Sequence, residues 1–231
     1  MKRIGLIGGV SPESTVIYYR LINAAARAAL GGDHSAEMVI YSLDFGVIKD
    51  RYARADWPAF KAEVLKAARA LDQAGCELIG ICSNTTQLAA GDVAAAIDRP
   101  VIGMIDTVAA ALKRAGVQRP LLLGTPFVMA PGFYRSTLDA GFGGTCIVPD
   151  AEGQAAVDRV IFEELVNGQV LEASRAVYLD IIAAGERQGA DAVILGCTEI
   201  PLLVDQGHTS LPVFDTTALH AGTIAAAAME R

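Results

Sequence analysis

What this 231-residue chain has little of narrows its chemistry first. It holds only three histidines (His34, His208, His220) and four cysteines (Cys76, Cys82, Cys146, Cys197). No Cys-x-x-Cys pair occurs and no histidine stands at zinc-ligand spacing from a cysteine, so no metal centre is expected. Positive charge is in deficit, 19 Lys and Arg against 26 Asp and Glu for a net charge of −7. That balance argues against nucleic acid or an anionic membrane as the main partner. No apolar run approaches the roughly twenty residues of a membrane span. The opening Met1-Lys-Arg-Ile-Gly-Leu-Ile-Gly-Gly-Val10 stops short at Ser11-Pro12-Glu13 and reads as a first strand and turn, not a secretory signal. Thiols without such a signal make a cytoplasmic protein the expectation. Gly5, Gly8 and Gly9 miss the Gly-x-Gly-x-x-Gly spacing, and no phosphate-loop lysine follows them. A nucleotide site is therefore not expected.

What is present is apolar and repetitive. At 52% hydrophobic and 19% charged, the chain has ample material for buried cores. Ala192-Val-Ile-Leu-Gly-Cys-Thr-Glu-Ile-Pro201 reads as a strand buried on both faces of a parallel sheet, running into Cys197. The same pattern occurs earlier, where Gly75-Cys-Glu-Leu-Ile-Gly-Ile-Cys-Ser-Asn-Thr85 lies against Gly189 to Glu199. On that register Ser83 is the partner of Cys197, and Cys82 faces Gly196; a slip of one residue would exchange Cys82 and Ser83. Arg3 to Arg119, Ser83 to Cys197 and Pro100 to Pro212 are offsets of 116, 114 and 112 residues. Three landmarks in one order at nearly one offset indicate a duplicated βαβ unit.

The expected fold is therefore α/β, two pseudo-symmetric lobes, each a mainly parallel sheet flanked by helices, with the active site in the cleft between them. Residues 1–98 with 208–231 form the first lobe and 99–207 the second. Strands are expected at Ile4–Ile7, Met38–Leu43, Leu78–Ile81, around Pro100, at Leu121–Leu123, Thr145–Val148, Ala192–Gly196 and near Val213. Helices are expected after Ser11, over Trp57–Ala74, over 152–166 and over 170–187, with Lys49 and Arg51 in a polar loop. The alanine-rich helices, Ala221 to Met229 included, are packing surfaces and a candidate homodimer face.

Strand ends that face each other can serve two sides of one carbon. A carbon acid deprotonated on one face and reprotonated on the other needs two acid/base groups placed in that way. A thiol suits the task because its pKa lies near neutrality and falls further at a helix start. Thr198, Glu199, Asn84 and Thr85, beside the two strand ends, would hold a carboxylate by helix-start chemistry. Ser11, Ser14, Thr15 and Thr125 follow the first strand of each copy and are candidate carboxylate or amine contacts. Lys49 and Arg51 are candidate substrate cations.

Gly8-Gly9 with Ser11-x-Glu13-Ser14-Thr15, the Asn84-Thr85 strand end and Gly196-Cys197-Thr198-Glu199 together resemble the aspartate/glutamate racemase family, across essentially the whole chain. The resemblance implies a cofactor-independent amino-acid racemase, with Cys197 and the residue before Asn84-Thr85, Ser83, as the catalytic pair. Ser83 stands where that family usually has cysteine. It also implies a small amino-acid or carboxylate substrate. Members strict for aspartate carry an Arg in the loop after strand two, near Lys49 and Arg51 here, and a Lys in the second lobe where Val166-Asn167 stand. Two other readings stay open. One is a single-cysteine decarboxylase or cis–trans isomerase of a small dicarboxylate; the other is a non-catalytic carboxylate binder.

Overall fold

A computed structural model describes residues 1–230. Two compact units divide it, Met1–Met104 with the chain from His220 onward, and Ile105–Leu219. In the first, β1 (Ile4–Gly8) runs into α1 (Pro12–Leu30), then β2 (Met38–Ser42), α2 (Phe45–Ala53), α3 (Trp57–Gln73), β3 (Leu78–Ile81), α4 (Ala90–Ala96) and β4 (Val101–Ile102). These strands make one parallel sheet in the order β2-β1-β3-β4. Parallel strands covered on both faces cannot alternate apolar with polar, and every residue of β1 and β3 is buried. Phe60, Val64, Ala67, Ala68 and Leu71 form the inner face of α3 and share a core with Ile79 and Ile81.

The second unit contains α5 (Met104–Arg114), β5 (Pro120–Gly124), α6 (Pro126–Met129), α7 (Phe133–Phe142), α8 (Ala151–Arg159), α9 (Glu172–Arg187), β6 (Ala192–Gly196) and β7 (Val213–Asp215). Its parallel sheet has the order β5-β6-β7. The last helix, α10 (Thr216–Met229), begins there and continues into the first unit.

The duplication is written into the strand register. Ile4 pairs with Leu78, and Pro120 pairs with Ala192. Gly75 and Gly189 both take positive φ, 76° and 88°, ahead of the central strand. Glu77 accepts the Arg3 amide at 2.8 Å, and Asp191 accepts the Arg119 amide at 3.0 Å.

Four expectations need adjusting. β4 pairs with β3 and β7 with β6, so the division falls at Met104/Ile105 and Leu219/His220 instead of 98/99 and 207/208. The polar stretch with Lys49 and Arg51 is helical, because Asp44 caps it by accepting from the Gly46 and Val47 amides at 2.8 and 3.3 Å. The strand expected at Thr145–Val148 shrinks to a single bridge, Leu121 to Ile147, hemmed in by Gly143-Gly144 and Pro149. The helix expected over 152–166 breaks after Arg159 into a π-helical turn over Val160–Glu164 and a 3₁₀ turn over Leu165–Asn167. Glu164 is buried there between Arg159, 2.8 Å away, and the Ser174 hydroxyl at 2.5 Å.

In the first unit α10 is tied back through a fully buried histidine. The His220 ring lies between the Tyr18 hydroxyl and the Ile102 carbonyl, each at 2.8 Å. A carbonyl can only accept, so Nε2 carries the proton and Nδ1 accepts from Tyr18. Burial pushes the imidazole down to about 4 from 6.5, with the Ile102 bond opposing that shift. As pH falls from 6.5 towards 4, the unfolded chain takes up a proton that the native one refuses, so stability is lost across that window. At pH 7 the contribution is fully present, and by about pH 4 roughly 3 kcal/mol is gone. Urea unfolding at pH 7 and pH 4.5 should show this loss in the native chain and much less of it in His220→Gln.

Candidate active site

In open parallel sheets ligands sit beyond the carboxyl ends of the strands, and the chemistry-bearing residues of each unit gather there. At the end of β3 the Cys82 amide extends the ladder by one bond, to the Ile7 carbonyl at 2.9 Å. Cys82 is 1% exposed, its thiol faces the Gly80 carbonyl at 3.9 Å, and burial alone pushes its pKa far up. It is a packed thiol. Ser83 and Asn84 follow, both buried, and Thr85 is half-buried as the chain enters a 3₁₀ turn over Thr85–Ala89.

A residue the sequence pattern did not mark holds this strand end. The Gln87 amide donates to the carbonyls of Ile81 at 2.8 Å and Ser83 at 3.4 Å, and accepts from the Met104 amide at 3.1 Å. The buried Gln87 thereby braces the backbone that carries Ser83. In the sequence it only closes the polar run Ser83-Asn84-Thr85-Thr86 ahead of an alanine-rich stretch.

After β1 the chain turns at Gly9, whose φ of 87° and close approach to the Leu43 backbone exclude a side chain. Ser11 caps α1 and accepts from the Ser14 amide at 3.4 Å. The Ser14 hydroxyl donates to the Ser11 carbonyl at 2.9 Å. The Thr15 hydroxyl accepts from the Gly9 amide at 2.8 Å and donates to the Ser11 carbonyl at 3.0 Å. Ser14 and Thr15 thus already serve the turn. Lys49 is exposed on α2. Arg51, half-buried, has a guanidinium nitrogen 3.7 Å from Asp56, while its Nε is buried without a hydrogen-bond partner.

In the second unit β6 is central and ends at Gly196, next to Gly124 of β5. Cys197 is 9% exposed and packs into the core formed by Leu121, Val193, Leu195 and Tyr178. Its thiol donates to Glu199 Oε2 at 2.9 Å, and the Thr198 hydroxyl donates to the same oxygen at 2.8 Å. Thr198 and Glu199 are each 3% exposed. Burial pushes the Cys197 thiol well above its ordinary range, and the Glu199 carboxylate adds to that. The amides of Glu199 and Thr198 pull the other way, more weakly. This corrects the expectation of a thiol near neutrality, because helix-start amides are outweighed by desolvation and an adjacent negative charge. The resting group is a protonated thiol with an acceptor in contact.

Thr125 caps α6 by its backbone alone, and its buried hydroxyl has no partner. A cavity of about 300 Å³ in this unit is lined by Leu121, Val148, Asp150, Asp180 and Ile181, and Cys197, Thr198, Glu199 and Thr125 are not among its lining residues. Among the described residues no group of three or more His, Cys, Asp or Glu side chains is arranged to hold a metal ion. Nor is any described helix long and apolar enough to cross a membrane.

These features define the class: a duplicated parallel α/β chain with polar and thiol side chains at the ends of its central strands. Residues 7–224 match the Asp/Glu/Hydantoin racemase family, and the chain belongs to it. Racemases are isomerases, and that is the enzyme class in which the family sits. A crystal structure of an Asp/Glu racemase candidate from Yersinia pestis is 44% identical, with a TM-score of 0.92 and full coverage of both chains. An aspartate racemase homologue from Pyrococcus horikoshii OT3 is 37% identical, with a TM-score of 0.87 and full coverage of both chains. The broad specificity amino-acid racemase RacX of Bacillus subtilis (strain 168) is 20% identical over 93% of each chain.

Proposed function

We propose that this protein racemises an amino acid, aspartate, glutamate or a related polar one, without an organic cofactor. Cys197 and Ser83 exchange the α-proton on opposite faces of the substrate carbon. The observation that carries the reading is the Cys197 thiol hydrogen-bonded to the buried Glu199 carboxylate at the end of a central strand. In the reaction Glu199 accepts the thiol proton, and the thiolate removes the proton from Cα. The electron pair of that C–H bond moves into the α-carboxylate, Ser83 returns a proton to the other face, and solvent reprotonates Ser83 while Glu199 gives up the proton it took. Thr198, Asn84, Thr85, Ser11 and Thr125 supply the polar surroundings, Lys49 and Arg51 are candidates for the side-chain carboxylate, and Ser14 and Thr15 shape the turn that carries Ser11. The 37% identity to an aspartate racemase homologue supports an acidic substrate. The protein acts as a homodimer in the cytoplasm on this reading.

Ser83 favours one alternative. An alcohol where the other copy has a thiol leaves one good acid/base group, enough for a decarboxylase or a cis–trans isomerase of a small dicarboxylate. A panel of L- and D-amino acids and small dicarboxylates in deuterated buffer, followed by proton NMR, separates the readings. The racemase should label Cα of aspartate or glutamate. Carbon dioxide release from a dicarboxylate, or no exchange with any amino acid, would overturn it.

A further inference from the structure

The register around β6 places two threonines beside Cys197, and only Thr125 belongs to the site described so far. Gly124 pairs with Gly196, so Thr125 and Cys197 are the next residues of their strands. On the other side Leu195 pairs with Asp215, so Cys197 and Thr217 each stand two residues beyond that pair. The chain at Thr217 has turned into α10, but the helix start is pinned against β6, because the Thr216 hydroxyl donates to the Leu195 carbonyl at 2.9 Å. Asp215 holds the turn by accepting from the Thr217 and Ala218 amides at 2.8 and 3.1 Å.

Both flanking threonines share an uncommon property. Thr125 is 8% exposed, Thr217 is 1% exposed, and each hydroxyl oxygen is buried without a hydrogen-bond partner. Buried hydroxyls are almost always paired, since an unpaired one forfeits its hydration for nothing. A threonine in the first turn of a helix has backbone partners within reach, yet Thr217 uses none. Two such orphans on the two sides of one reactive thiol are accounted for together by a ligand that brings acceptors.

We propose that Thr217 is a substrate-binding residue that, with Thr125, donates a hydrogen bond to a carboxylate of the substrate held at Cys197. This rests on the proposed function only in taking a small carboxylate as the ligand. The carboxylate gains electron density when Cα is deprotonated, so a hydroxyl donor to the α-carboxylate binds the transition state more tightly than the ground state.

The test compares Thr217→Val, which keeps the shape and removes the hydroxyl, with Thr217→Ser, which keeps the hydroxyl. Affinities for L-aspartate, L-glutamate and succinate are read by calorimetry, exchange of the α-proton by NMR, and Tm by scanning calorimetry. Thr217→Val should keep or raise Tm and weaken binding of the best ligand roughly tenfold, and Thr217→Ser should restore it. Unchanged affinity in Thr217→Val, or a lowered Tm with unchanged affinity, marks a structural hydroxyl and overturns the proposal. So does a native protein that binds none of the three. Binding that weakens in Thr217→Val while the native protein exchanges no α-proton supports the hydroxyl's role and rejects the racemase reading alone.

Discussion

Cys197→Ala should lose α-proton exchange by roughly 10²–10⁴-fold, the usual contribution of a positioned acid/base group, with the fold retained. The side chain is small, and removing its sulfur costs on the order of 1 kcal/mol of packing. Cys82→Ala removes the same atom from a still more deeply buried place and should leave exchange near the native rate. A dead Cys82→Ala with an active Cys197→Ala would reverse the assignment. Glu199 sharpens the test. Because burial and Glu199 together raise the Cys197 pKa, the thiolate population, and with it exchange, should climb as pH rises. In Glu199→Gln the negative charge is gone, so the thiol pKa falls and the alkaline limb moves to lower pH. The maximal rate should fall as well, because the proton acceptor in contact with Sγ has been removed. Iodoacetamide labelling of Cys197 across pH reports the same shift without any substrate. A limb that stays in place would separate Glu199 from the thiol's ionisation.

How much of this was open to sequence reading follows from the range of each interaction. The duplicated strands were legible because a strand buried on both faces must be apolar throughout, and because Gly75 and Gly189 mark the same turn twice. The register that pairs Ser83 with Cys197 follows from those local patterns. The helix over Phe45–Ala53 was not legible, since it is short, buries little beyond Ile48, and is decided by short-range capping by Asp44. Nor was the thiol's ionisation. Cys197-Thr198-Glu199 reads as a helix start that lowers a pKa, and burial of Sγ, with the contact of Glu199 Oε2 adding to it, reverses the sign. The brace by Gln87 and the tie between Tyr18 and His220, 202 residues apart, depend on where side chains meet. The orphaned hydroxyls of Thr125 and Thr217 are visible only as absences in a complete account of buried polar atoms. Fold and thiol were therefore sequence properties, whereas electrostatics and ligand contacts were tertiary ones.

Ser83→Cys should speed the slower direction of racemisation. In the native chain the two resting groups differ, a thiol in contact with a carboxylate at Cys197 and an alcohol at Ser83. The alcohol is much the weaker acid, so it makes a poor resting base, while the thiol can pass its proton to Glu199. The enantiomer whose α-proton meets Cys197 should exchange with solvent much faster than it is converted to its mirror image. The other enantiomer should exchange slowly, because its proton must leave through Ser83. Thermodynamics fixes the final ratio of the two enantiomers at unity and so makes kcat/KM equal in the two directions; the asymmetry has to appear in exchange rates and in the separate values of kcat and KM. Installing a thiol at position 83 restores like groups on the two faces. The buried strand end braced by Gln87 would hold that thiol where the hydroxyl now lies. Initial rates from each pure enantiomer in deuterated buffer, for the native chain and Ser83→Cys, give the comparison directly. Convergence of the two directions in the variant is the expected result. If both enantiomers exchange equally in the native protein and Ser83→Cys changes neither, position 83 has no part in the proton transfer, and the single-cysteine chemistry at Cys197 is the better description.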